Sequence, residues 1–63
     1  MMKTGDKVRL FEIPEEGIPE EVGTIIRVEE GVLLVELDNE YRDGEWDDGL
    51  RETSPTLVEL LAG

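Results

Sequence analysis

Hydrophobic and polar positions alternate most clearly from Val22 to Leu37, VGTIIRVEEGVLLVEL. The run reads as two β-strands joined by a tight turn at Glu29-Glu30-Gly31, where Gly31 can take the positive φ of a short hairpin. Val22, Thr24, Ile26 and Val28 share one face of the first strand, and Leu33, Val35 and Leu37 one face of the second. β-Branched residues at a period of two suit a half-buried pleated surface. Upstream, Gly5-Asp6 makes a turn, after which Val8 and Leu10 point inward and Lys7 and Arg9 outward. The phase breaks at Leu10-Phe11, which puts Phe11 and Ile13 on the opposite face, as a β-bulge or a strong bend would. Phe11 then either caps an open barrel end or belongs to an exposed binding patch.

The remaining segments are less regular. Residues 14–21, PEEGIPEE, form a loop, because two prolines and a glycine interrupt pairing and four glutamates hold it in water. Ile18 within it either folds back onto the barrel mouth or forms a hydrophobic tip suited to a partner. From Asp38 to Arg51 the pattern predicts a turn at Asp38-Asn39, a short strand around Asn39 to Asp43 and an excursion centred on Gly44, with Trp46 and Leu50 as its apolar residues. Ser54-Pro55-Thr56 predicts one 3₁₀ turn, and Val58 to Leu60 a last strand pairing back to the first. A two-turn helix over 56–62 competes with that reading, though so short a helix is marginal alone. The expected core is Val8, Leu10, Ile13, Val22, Ile26, Val28, Leu33, Val35, Leu37, Leu57, Val58 and Leu60.

Sixty-three residues are enough for one domain, so 1–63 is taken as a single unit. The charge narrows the possible functions: 17 Asp and Glu face 6 Lys and Arg, for a net charge of −11. Such a chain repels phosphate backbones, whose binding depends on Lys and Arg displacing counterions, so direct nucleic-acid binding is not expected. Three aromatic residues are too few for a stacking platform. With no histidine and no cysteine, the commonest general base, the commonest metal ligand and thiol chemistry are missing, and no cofactor or catalysis is expected. The carboxylates of 38–48 do not follow an EF-hand: from Asp38 the sixth position is Asp43 rather than glycine, and from Asp43 it is Asp48. No apolar run reaches the ~18 residues of a membrane span, and a cytoplasmic location is expected.

Several motifs resemble a known family. Gly5-Asp6-Lys7-Val8-Arg9-Leu10 resembles the G-D-x-V-R-[VL] opening of SH3-like barrels. Gly23-Thr24-Ile25-Ile26 resembles the start of their second strand, Leu33 to Leu37 their third, and Ser54-Pro55 to Leu60 their 3₁₀ turn and closing strand. The chain is similar to short bacterial and phage SH3-like domains and, more distantly, to KOW modules, the photosystem I SH3-like subunit and the C-terminal domain of the nitrile hydratase β-subunit. The resemblance implies an all-β, five-stranded SH3-like barrel with a short 3₁₀ turn before the last strand. It implies no catalytic residues. The basic and aromatic loops of RNA-binding KOW modules and the aromatic groove of peptide-binding SH3 domains are both absent, since only Tyr41 and Trp46 are available.

The expected function is therefore a non-enzymatic interaction module that binds a protein partner. The candidate binding residues are Phe11, Ile18, Tyr41, Asp43, Glu45, Trp46, Asp47, Asp48 and Leu50. Trp46 either lies as a cation–π lid on Arg42 or Arg51 or anchors an interface. Phe11, Ile18, Val32, Leu34, Trp46 and Leu50, all outside the core phase, form a patch for a partner or for a homo-oligomer seam. Two other readings remain open: an acidic mimic of nucleic acid that inhibits a basic protein, and a small subunit of a larger enzyme. At −11 the folded chain repels itself, so adding about 0.5 M NaCl is expected to raise the melting temperature seen by circular dichroism. A fall would mean that specific ion pairs outweigh net repulsion.

Overall fold

The computed structural model describes residues 2–61. Five antiparallel strands form one sheet in the order β4-β3-β2-β1-β5. They are β1 (Lys7–Leu10), β2 (Glu21–Glu29), β3 (Val32–Leu37), β4 (Leu50–Thr53) and β5 (Val58–Leu60). β4 and β5 are the two edges, so the sheet curls around one core without closing. Short 3₁₀ turns occupy Pro14–Glu16, Asn39–Tyr41 and Pro55–Leu57. Among the described residues, no helix is long and apolar enough to cross a membrane.

Much of the sequence pattern is found where expected. The hairpin turns at Glu30-Gly31 with Gly31 at φ +74°. Val8 and Leu10 are buried and Lys7 is exposed, while Val58–Leu60 pairs with β1 after the Pro55–Leu57 turn. The competing helix over 56–62 is not formed in its described part. The sheet holds a core of Val8, Leu10, Ile25, Leu33, Val35, Leu37 and Val58, with Met2 and Tyr41 packed against it.

The facing of β2 is the main correction. Ile25 is fully buried whereas Ile26, expected in the core, is 40% exposed. The inner face starts with Glu21, Gly23 and Ile25, and Val22 and Thr24 point outward against Arg9 and Lys7. Gly23 explains this choice. A Cβ there would clash with the Glu36 carbonyl oxygen and come 2.8 Å from Val35 Cγ1, so only glycine lets β3 approach this closely. A bulge then shifts the register, since Ile25 pairs with Val35 but Arg27 with the adjacent Leu34. Past the bulge Val28 returns to the inner side opposite Leu33. There it lines the rim of an apolar groove of about 540 Å³ with Met2, Pro55 and Leu60, and so stays exposed along with Leu60.

Other differences are local. β1 ends at Leu10 without a bulge, and the Phe11 N–H donates to the Leu57 carbonyl. Ile13 is half-buried and Leu57 exposed because both lie outside the strands, and Val22 is half-buried because it stands on the outer face of β2. The strand expected around Asn39 to Asp43 is instead a 3₁₀ turn, closed by the Tyr41 N–H on the Asp38 carbonyl. The fourth strand is Leu50–Thr53.

Substitution at the two adjacent isoleucines tests the phase. Ile25→Ala is expected to cost ~2–5 kcal/mol by urea denaturation. Ile26→Ala is expected to cost less than about 1 kcal/mol. The reverse order would place the bulge elsewhere.

Candidate functional site

The long connection of residues 38–49 carries most of the candidate residues, and only Tyr41 ties it to the core. Polar bonds supply the rest of its structure. Asp47 Oδ1 accepts from the Gly49 N–H at 2.8 Å and Arg51 Nη1 at 3.0 Å; Oδ2 accepts from the Asp43 N–H at 2.7 Å and Arg51 Nη2 at 2.8 Å. One carboxylate thus gathers four donors, two of them a bidentate guanidinium. Arg51 also reaches Glu21, with Nε 3.4 Å from Oε1. Arg51 pairs with Val35 and therefore sits on the inner face of β4, opposite in kind to the apolar residues around it. The Asp47 side chain is only 9% exposed, so this is not a solvated surface pair.

These bonds hold the Asp47 carboxyl well below the usual carboxylate range, first through Arg51 and then through the Asp43 and Gly49 N–H groups. Asp48 is used similarly, its Oδ1 accepting the Leu50 N–H at 2.9 Å as β4 begins. Two of the candidate binding residues therefore shape the loop itself.

Four others converge. Phe11, Ile18, Tyr41 and Asp43 line one cleft of about 560 Å³ between the β1–β2 loop, the 38–49 loop and β4. Ile18 is brought there by paired backbone bonds with Ile13 across the Pro14–Glu16 turn. It lies at the cleft wall, 38% exposed. Phe11 is 39% exposed, and the Arg9 guanidinium lies 5.1 Å from its ring centre. Leu57, Thr53, Glu52 and the Arg51–Glu21 pair also line it and were not anticipated. A signal for Glu21 was available, since it shares its phase with Gly23 and Ile25.

Trp46, Glu45 and Leu50 lie outside this lining. Trp46 is 85% exposed, its ring resting beside Gly44. The expected cation–π lid does not form because both cations have stronger partners. Arg51 holds Asp47, and Arg42 Nε donates to the Leu37 carbonyl at 3.3 Å. Leu50 stands on the outer face opposite Glu36, so the patch expected from the six out-of-phase residues is divided. Val32 and Leu34 bound a separate small hollow with Arg27, while Phe11 and Ile18 face the cleft.

Among the described residues, no three Asp or Glu side chains gather as a metal-binding group. No protein-family model matches the chain, and no curated protein or solved structure is significantly similar to it.

The Asp47 bonds give a signed pH dependence. A carboxyl lowered by folding stabilises fully above its unfolded value of about 3.9 and loses that contribution as pH falls below it. Asp47→Asn is therefore expected to be less stable than the parent by a constant margin above about pH 5, narrowing towards about pH 3 in urea denaturation. A margin independent of pH would show that the charge on Asp47 does not matter.

Proposed function

We propose that the chain is an SH3-like domain that acts by binding a protein partner and carries out no reaction of its own. The SH3-like reading is supported by the β4-β3-β2-β1-β5 order and by the 3₁₀ turn before the last strand. The binding reading rests on one observation: Trp46 is 85% exposed on a loop that is fixed from within by Asp47 and Arg51. An indole left in water gains nothing for the fold, and tryptophan is the residue most enriched among interface anchors. A loop already ordered before binding loses little conformational entropy on docking. Glu45 and Asp47 flank the indole along the chain, and its ring rests beside Gly44.

A pull-down from a lysate of the source cells, washed at low and high salt and read by mass spectrometry, tests this. One partner is expected to survive high salt, and Trp46→Ala is expected to weaken its binding about 30-fold, equivalent to ~2 kcal/mol. A basic nucleic-acid-binding protein held only at low salt and indifferent to Trp46→Ala would replace this reading with mimicry.

A further inference from the structure

The distribution of unpaired charge points to the chemistry of a partner. All six Lys and Arg residues are in ion pairs: Lys3 with Asp6, Lys7 with Asp38, Arg9 with Glu20 and Glu59, Arg27 with Glu29, Arg42 with Glu36, and Arg51 with Glu21 and Asp47. Those pairs use eight of the seventeen carboxylates and leave nine without a Lys or Arg partner among the described residues. Of the nine, only Glu30 lies at the hairpin turn. The other eight lie on the two loops and the strand that bound the cleft: Glu12, Glu15 and Glu16; Glu40, Asp43, Glu45 and Asp48; and Glu52 on β4. Among the described residues, no Lys or Arg is left to neutralise that end.

The cleft also borders an open sheet edge. The Leu37 N–H donates to the Gly49 carbonyl, so by antiparallel alternation Arg51 and Thr53 bond to β3, and Leu50 and Glu52 turn their backbone groups outward. The outward groups of Leu50 are occupied, its N–H by Asp48 Oδ1 and its carbonyl by Arg51 Nη1. Those of Glu52 project from the edge beside the cleft. A strand added there would place one residue opposite Glu52 on the outer face and turn its two neighbours inward over the cleft. Leu57 at 45%, Phe11 at 39% and Ile18 at 38% exposure offer apolar surface on that side.

We infer that the cleft receives an extended cationic segment of a partner protein, added as a strand at the free edge of β4. Lys or Arg faces Glu52 on the outer face, and alternate apolar side chains turn inward to cover Leu57, Phe11 and Ile18. This rests on the reading of the chain as a binding domain but uses a surface separate from Trp46.

The probe is a blocked peptide of alternating valine and arginine, titrated into the ¹⁵N-labelled chain. The amide signals of Glu52, Phe11 and Leu57 are expected to shift, and exchange of the Glu52 amide is expected to slow. Glu52→Lys, on an exposed edge where the fold tolerates it, is expected to weaken binding about tenfold or more. The same peptide N-methylated on alternate amides keeps its charge but cannot bond as a strand, and is expected to lose binding. Equal binding by the methylated peptide, or shifts spread over the acidic surface, would overturn the inference as unspecific attraction. Glu52 shifts that follow chain concentration without peptide would overturn it in favour of a second copy. None of these results alters the Trp46 dependence of the pull-down, so the two readings fail separately.

Discussion

Arg51 is a charged side chain pointing inward from an edge strand, and much of one end of the molecule is arranged around that fact. A guanidinium turned towards an apolar interior is costly unless its donors are matched. Glu21 at the start of β2 and Asp47 in the long loop supply the match. The same contacts join three segments with little else in common: the edge strand, the entry to the central hairpin and residues 43–49. Between 38 and 49 only Tyr41 packs on the core, so that loop is ordered mainly by electrostatic and hydrogen-bonding terms. The acidic composition is thus partly structural, since Asp47 and Asp48 hold backbone N–H groups that no strand or helix would otherwise satisfy.

What could be read from the sequence was what local patterning controls. The turn at Gly31, the inward Val8 and Leu10, the closing 3₁₀ turn and the last strand each follow from a few neighbouring residues. The facing of β2 did not, because Ile25 and Ile26 are adjacent and β-branched, and alternation alone cannot rank them. The deciding residue was Gly23, whose need for close approach depends on β3 and so lies beyond local reading. β4 was hidden for a different reason. Its inner residues are Arg51 and Thr53, so a hydrophobic pattern shows no strand where the core is lined by polar groups. Of the candidate site, Phe11, Ile18, Tyr41 and Asp43 share one cleft, whereas Trp46 stands apart because Asp47 is a better partner for Arg51 than an indole face.

The pairing of all six Lys and Arg residues leaves the remaining charge unevenly spread. Eight unmatched carboxylates lie on the two loops and the strand that bound the cleft, Asp43 and Glu52 in its lining, and one lies at the hairpin turn, so self-repulsion is concentrated on those segments. That repulsion opposes the compact state, and the short sheet has few apolar residues with which to offset it. A cation arriving from outside would relieve it, and any partner that binds only the folded chain also stabilises the fold by mass action. Stability and recognition are then coupled through the same groups. The surplus that weakens the isolated domain is the surplus a cationic segment would neutralise. Pairing those carboxylates internally would strengthen the fold and remove the field that draws such a segment in.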